Sequence, residues 1–321
     1  MNIAILDRCT VTNGDVVFTP IENIGEVRYF DLLPPAEVPA AIGDSDAVIV
    51  NKAKITAEVM DACPNLKFVG LFATGYNNID VAAADARGIA VCNVPGYSTD
   101  SVAQHTIALM LHFATRADDY AASVGAGDWV RSKAFSYFKY PVYELAGKTL
   151  GIFGYGTIGR AVAKIALAFG MTVIATSRSH TSGCEGEVTF VDADTLFAKS
   201  DYISLHCPLT PETEQAVNAR TLSLMKPTAV LINTARGGVT DEGAVADALN
   251  AGRLRGAGID VLCEEPMRED HPYLTAKNCY VTPHVAWGSI EARTRLIDIV
   301  AQNLAAFEAG KPQNCVGAFK G

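Results

Sequence analysis

GIFGYGTIGR, residues 151–160, is the stretch on which the fold turns. The apolar run TLGIF (149–153) leads into its glycines, and RAVAKIALAFG (160–170) continues from them with helical spacing. With 27 glycines in 321 residues, a GxGxxG pattern arises by chance about 0.2 times in such a chain, so the strand–loop–helix context carries the reading. In that context Gly154 permits a tight turn, Gly156 lets the backbone approach a pyrophosphate, and Gly159 lets the helix pack closely on the strand. The N–H groups and dipole of the helix start favour phosphate. The stretch predicts a dinucleotide site.

The same alternation extends in both directions. Downstream, TVIAT (172–176), YISLHC (202–207), AVLINTA (229–235), GAGIDVL (256–262) and CYVTP (279–283) read as strands, with DADTLFAKS and EGAVADALNAG as helices between them. Upstream, the strands are NIAILD (2–7), VRYFD (27–31), AVIVN (47–51), KFVGLFA (67–73) and IAVCNV (89–94), with helices in TAEVMDACP and DVAAADARG. Short apolar runs between helical segments are the pattern of parallel α/β sheets. Ser101-Val102-Ala103-Gln104 fits a capping box opening the apolar helix HTIALMLHFATR. After the last helix, SIEARTRLIDIVAQNLAAFEAG, the tail KPQNCV reads as a return to the first domain. A chain of 321 residues exceeds the usual single core. The expected architecture is α/β: two Rossmann-like doubly wound parallel-sheet domains with an active-site cleft between them. Residues 1–99 plus 288–321 form a discontinuous substrate-binding domain, and residues 100–287 the dinucleotide-binding one.

Composition narrows the partners. A net charge of −9 without a Lys/Arg cluster argues against nucleic acid and anionic membrane surfaces. The eight cysteines form no CxxC pair and have no histidine at zinc-finger spacing, so they read as reduced, small apolar residues, and no metal is expected. MNIAILDRC has neither a basic leader nor a long apolar core, and no apolar run is long enough to span a membrane. A cytoplasmic location is expected.

GMTVIATSRSH (170–180) lacks one part of the dinucleotide pattern. An acid about 20 residues past the glycines ordinarily holds the adenosine ribose hydroxyls. Ser177 stands 18 residues after Gly159, followed by Arg178. Serine removes the repulsion that a carboxylate would exert on a 2′-phosphate, and Arg178 can pair with that phosphate as a planar fork. The alternative is a solvated Arg178 and a Ser177 that hydrogen-bonds NAD. The balance favours acceptance of NADP.

Three further residues follow strands of this series, where open α/β sheets bind ligands. Arg236 follows AVLINTA, Glu265 follows GAGIDVL and His284 follows CYVTP. Reduction of a carbonyl by hydride needs a proton donor near neutral pH, which histidine supplies. A carboxylate bonded to that histidine orients it and favours its acid form, and an arginine can hold a substrate carboxylate bidentately. Each residue alone also has a structural reading, as a surface pair, a loop acid or a satisfied loop histidine. Their coincidence at the ends of strands of one sheet favours catalysis.

FATGYNNID (72–80), NVPG (93–96), HCPLTPET (206–213), LINTARGG (231–238), GAGIDVLCEEP (256–266) and TPHVAW (282–287), with the glycine loop, resemble the D-isomer-specific 2-hydroxyacid dehydrogenases over essentially the whole chain. The resemblance implies an NAD(P)-dependent oxidoreductase with catalytic Arg236, Glu265 and His284. It implies a substrate-carboxylate loop at Thr74, Gly75 and Tyr76 acting through backbone N–H groups. It also implies a nicotinamide contact at Asp260, and phosphate or adenosine contacts at Tyr155, Thr157, Ile158, Cys207, Pro208 and Thr213, with Thr234 and Ala235 among the cofactor-binding residues. Two-fold dimers through the cofactor domain, with residues 100–145 at the interface, are usual in the family. VNKAK, AFSYFKYPVYEL and PHVAWGSIEAR narrow the resemblance to bacterial glycerate dehydrogenases, also called hydroxypyruvate reductases.

The expected substrates are hydroxypyruvate and, second, glyoxylate. Lys52 either meets a polar or anionic substrate or is a surface lysine, and Trp287 lines the substrate pocket or packs in the core. Glutamate at 265 tells against the formate dehydrogenases of this superfamily, which carry glutamine there. Two rivals remain: a dehydrogenase of bulkier D-2-hydroxy acids, and a non-catalytic dinucleotide-sensing protein.

Overall fold

In the computed structural model, residues 1–319 are described. The chain divides into two compact units, one of Met1–Ser98 with the segment from Trp287 onward, the other of Thr99–Ala286. Both divisions fall one residue before those read from the sequence. The long helix already begins at Thr99, and the Trp287 ring packs edge-on to Tyr97 of the first unit.

The first unit holds β1 (Asn2–Ile5), β2 (Glu26–Tyr29), β3 (Ala47–Val50), β4 (Phe68–Leu71), β5 (Ala90–Cys92) and, from the C-terminal tail, β14 (Cys315–Val316). Its sheet runs β14-β5-β4-β3-β1-β2. All pairs are parallel except β14, which lies antiparallel on β5. Alternate residues build a core on each face. Ile3, Ile5, Ile49 and Phe68 pack with Leu296, Val300 and Leu304 of the helix Ile290–Glu308. Ala4, Leu6, Val48 and Val69 pack with Ile42, Met60 and Ala84 from three short helices. The order reverses between β1 and β3, the position where open α/β sheets form a crevice.

The second unit holds β6 (Thr149–Phe153), β7 (Thr172–Thr176), β8 (Gly183–Glu185), β9 (Val188–Phe190), β10 (Tyr202–Leu205), β11 (Val230–Asn233), β12 (Gly256–Ile259) and β13 (Cys279–Val281). The sheet order is β13-β12-β11-β10-β6-β7-β9-β8, parallel but for the β8 edge. Read from β9 through β7 and β6 to β10 and β11, this is the Rossmann order, with its switch point between β6 and β10. Leu150, Ile152, Val173 and Ile232 form one core with the helices Thr99–Thr115 and Thr157–Ala168. Ile203, Leu231 and Ile259 form the other with Leu196, Leu222 and Leu249.

Side-chain caps start many of the helices. Asp80, Asp192 and Asp241 accept from the backbone N–H three residues on, and Asn218 closes a reciprocal capping box with Thr221. The capping box expected at Ser101 does not form. The helix starts two residues before it, so Ser101 is intrahelical and its hydroxyl donates to Ala286 O at 2.7 Å. Among the described residues, no helix is long and apolar enough to cross a membrane.

Candidate active site

β6 delivers the glycine loop at the switch point of its sheet. Gly154 has φ +104°, and a Cβ there would lie 2.5 Å from Cys207 N, so the turn is closed to side chains by the end of β10. A Cβ on Gly159 would lie 2.5 Å from Gly154 O and 3.1 Å from Ile152, so its absence lets the helix sit on its own strand. Gly156, in contrast, faces open space. It is also the N-cap of the helix Thr157–Ala168 and supplies no side-chain cap. This leaves a bare, positively polarised helix start beside an open backbone, which fits a dinucleotide pyrophosphate. Tyr155 stands next to it, between Phe190 and the guanidinium of Arg160, which pairs with Glu185.

Beyond β7, Ser177 and His180 close a turn, with Ser177 N donating to His180 O and His180 N to Ser177 O and Oγ. Arg178 projects from this turn, exposed and without a hydrogen bond or ion pair among the described residues. It lies near the loop after β10. The Glu212 carboxyl is held below its usual range chiefly by the Thr210 hydroxyl, with a smaller contribution from the Arg178 charge. In that loop Thr213 Oγ1 donates to Pro208 O and accepts from Thr210 N, which fixes the 207–213 turn. Cys207, Pro208 and Thr213 therefore share one end of the sheet with Ser177 and Arg178. His206, at the head of the turn, bonds Ser204 Oγ through Nε2 at 2.7 Å, and burial pushes its pKa down to about 3.

Arg236, Glu265 and His284 follow the adjacent strands β11, β12 and β13 at the same end of the sheet. The buried Asn233 forms the turn before Arg236 by accepting from Ala235 N and donating to Arg236 O. The Arg236 guanidinium donates to Ala235 O and is otherwise exposed. Beside Ala235, Thr234 Oγ1 lies 3.1 Å from Thr106 Oγ1. Glu265 Oε2 lies 2.8 Å from His284 Nδ1, and its Oε1 accepts from Leu262 N. An ionised carboxylate only accepts, so Nδ1 carries the proton shared with it and Nε2 points elsewhere. Both side chains keep about a third of their surface in solvent.

Two acids hold these loops, Asp260 fully buried and Glu242 partly so. Asp260 accepts from Thr282 Oγ1, Val285 N and Ala286 N, and its carbonyl accepts from His284 N. It thus anchors the segment that carries His284, whose φ of +52° lies in the left-handed region. Glu242, the first residue of its helix, accepts from Cys263 N through Oε1 and pairs with the buried His271 through Oε2. At Gly237 a Cβ would lie 1.9 Å from the Leu262 carbonyl carbon, so the Arg236 turn sits directly on the Glu265 turn. Any side chain at 237 would force the two apart.

In the first unit, Asp7 organises the switch point between β1 and β3. It is buried and accepts from Asn51 N, Lys52 N and Ala53 N, and burial raises its pKa although these N–H bonds oppose the shift. The Lys52 side chain is exposed. After β4, the Thr74 carbonyl accepts from Asn93 Nδ2 and its hydroxyl donates to Val94 O. Among the described residues, Gly75 N and Tyr76 N donate no internal hydrogen bond. Trp287 lies partly buried against the core of this unit.

Asp7, Asn93, Asn233, Glu242 and His271 were not singled out from sequence. Asp7 had a signal, as the charge that ends the apolar run NIAIL. Glu242 and His271 had none, because their pairing depends on the path of the chain between them.

The pattern of known proteins agrees with this geometry. Residues 107–286 match the family described as D-isomer specific 2-hydroxyacid dehydrogenase, NAD binding domain. The chain is 42% identical over 320 residues to a hydroxypyruvate reductase of Blautia hydrogenotrophica, covering 98% of this chain and 99% of that protein. It is 43% identical over 293 residues to a glycerate dehydrogenase of Methylorubrum extorquens, covering 91% of each. The structure superposes with a TM-score of 0.83 on an NADPH-dependent glyoxylate/hydroxypyruvate reductase from Sinorhizobium meliloti, solved in complex with NADP and malonate. That protein is 33% identical, with 99% of this chain and 97% of that one covered.

Proposed function

Because the chain belongs to the D-isomer specific 2-hydroxyacid dehydrogenase family, NAD(P)-dependent oxidoreductases acting on the CH–OH group of 2-hydroxy acids, we propose that it interconverts hydroxypyruvate and D-glycerate, with glyoxylate and glycolate as a second pair. The observation that carries the chemistry is the 2.8 Å contact between His284 Nδ1 and Glu265 Oε2, at the sheet end that also carries the exposed Arg236. The substrate choice is supported by the names of the two relatives above.

In this reading the Gly154–Gly159 loop holds the pyrophosphate, and the 207–213 turn with Thr234, Ala235 and Asp260 supports the rest of the coenzyme. When bound, the reduced nicotinamide supplies the hydride added at C2 of the 2-oxo acid. Arg236 binds the substrate carboxylate as a planar fork and polarises the neighbouring carbonyl. In the first unit, the Thr74–Tyr76 loop offers its backbone N–H groups to a substrate carboxylate, with Lys52 and Trp287 as further substrate contacts. His284 holds a proton at Nε2 and gives it to the C2 oxygen, while Glu265 keeps the ring oriented and balances its charge. In oxidation His284 Nε2 takes the hydroxyl proton instead. Ser177 and Arg178 admit the 2′-phosphate of NADP, since the serine sets no charge against it and the guanidinium pairs with no acid among the described residues.

A panel of hydroxypyruvate, glyoxylate, pyruvate and 2-oxoisocaproate, each with NADH and NADPH, tests the substrate. The highest kcat/KM is expected with hydroxypyruvate and NADPH. A lead for 2-oxoisocaproate would assign the chain to bulkier acids, and no coenzyme oxidation with any acid would favour the sensing protein. We further propose a cytoplasmic homodimer. Val130, Phe135 and Phe138 are 89%, 92% and 86% exposed in one segment of the second unit; large exposed apolar groups mark interaction surfaces, and a second copy would cover them.

A further inference from the structure

Two cysteines that the reaction does not use lie against each other in the first unit. Cys92 ends β5 and Cys315 opens β14, and the register sets them directly opposite across the antiparallel pair. Asn93 N donates to Asn314 O in the neighbouring pair. Cys92 and Cys315 therefore occupy the position between ladder hydrogen bonds, where opposed side chains come closest. Their Sγ atoms are 2.9 Å apart. Cys92 is fully buried and Cys315 partly exposed at the margin of the same core. The other six cysteines have no such neighbour among the described residues, and Cys9, Cys184 and Cys263 are single exposed thiols.

We propose that Cys92 and Cys315 are a reversible thiol–disulfide site that fastens the C-terminal strand to the sheet of the first unit. The oxidant is a low-molecular-weight disulfide. The accessible Cys315 thiolate attacks one of its sulfurs, its S–S bond breaks, and one thiol leaves. Burial raises the pKa of Cys92, so Cys92 acts second. Its thiolate attacks the Cys315 sulfur of the mixed disulfide and releases the second thiol. In sum two protein thiols are oxidised to one disulfide, and the oxidant is reduced to two thiols that carry the two protons. The rotations needed are small, because an opposed antiparallel pair already meets the Cα spacing a disulfide requires.

Beyond its pairing with β5, the fastened strand is held among the described residues by a short set of side-chain bonds. Ala318 N donates to Asp85 Oδ2, and Asn314 Nδ2 donates to Asn303 Oδ1. Asn303 Nδ2 in turn holds Asn93 O, and Asn93 Nδ2 holds Thr74 O. The disulfide would lock the outer end of this chain of contacts and close a loop of more than 200 residues, which restrains the unfolded chain strongly.

The test is incubation of the full-length protein with oxidised glutathione, followed by peptide mapping without reductant and by thermal melts. A cross-linked peptide joining Cys92 to Cys315, about 2 Da lighter than the sum of its thiol forms, is expected. So is a melting temperature several degrees above that of the reduced protein. Cys315→Ser should abolish both the cross-link and the redox dependence of melting, while leaving turnover of the reduced enzyme unchanged. Recovery of glutathione on Cys315 with Cys92 still a free thiol would overturn the proposal. So would two unmodified thiols under conditions that modify Cys9, Cys184 or Cys263.

Discussion

Glu242→Gln isolates the brace behind the Glu265 turn. In the native protein Oε1 accepts from Cys263 N at 2.8 Å, Oε2 lies 3.2 Å from His271 Nε2, and His271 Nδ1 accepts from Tyr273 N. The imidazole proton is therefore on Nε2, and both carboxylate oxygens accept. Glutamine offers one oxygen and one NH2. With its oxygen towards Cys263, the buried His271 Nε2–H loses its partner, at a cost of about 1–3 kcal/mol. With its oxygen towards His271, the bond to Cys263 breaks and water takes its place, at a cost of about 1 kcal/mol. For a unit of this size the melting temperature should fall by roughly 2–10 °C. Cys263 adjoins Leu262, whose N–H holds Glu265 Oε1, so a loosened turn also carries Glu265 away from His284. kcat falls for that reason, and the loss has a signature. The double variant Glu242→Gln/Glu265→Gln should turn over as slowly as Glu265→Gln alone, since both act through one contact. Thermal melts and steady-state rates of the three variants decide it. An unchanged melting temperature and kcat, or losses that multiply in the double variant, would refute the brace.

Ser177→Asp should move the ratio of kcat/KM for NADH over NADPH up by about tenfold or more, the effect of a like charge near 4 Å in a solvated site. No movement would place the discrimination elsewhere. Phe135→Asp/Phe138→Asp should yield a monomer by light scattering coupled to size exclusion, and an unchanged mass would exclude this face as the dimer contact. Burial pushes the His206 pKa down to about 3 in the folded chain, from near 6.5 in the unfolded one. Between those values the unfolded chain binds a proton that the folded one does not, so stability is full above pH 6.5 and falls as the pH drops towards 3. His206→Asn should flatten part of that fall, whereas an identical pH dependence of melting would show that another group sets it.

Much of this fold could be read in the chain because its strands carry their own signal. TLGIF and TVIAT are strands over the residues the pattern marks, since runs buried on both faces are apolar throughout. Other strands end two or three residues before their apolar runs do. In YISLHC, AVLINTA and GAGIDVL the last residues leave the sheet to make the turns that carry His206, Arg236 and Glu265. The edge strand β8 and its neighbour β9 carry no such signal, because GCE and VTF are too short and too mixed to register. The positions of Arg236, Glu265 and His284 followed from strand ends alone, whereas the acids that hold their loops did not. Asp260 and Glu242 act by accepting backbone N–H groups 21 to 26 residues away in sequence, and no local pattern encodes such a bond. Ser101 shows the opposite error. A local capping pattern was present, and a tertiary bond to Ala286 claimed the hydroxyl.

The central claim is that the Glu265–His284 pair supplies the proton. The most direct measurement is the turnover of hydroxypyruvate by His284→Ala and Glu265→Gln, with NADPH binding followed in parallel by nicotinamide fluorescence. The account predicts a kcat lower by about 10²–10⁴-fold for His284→Ala, a smaller loss for Glu265→Gln, and coenzyme binding unchanged in both. Wild-type kcat in His284→Ala, with coenzyme bound normally, would contradict it.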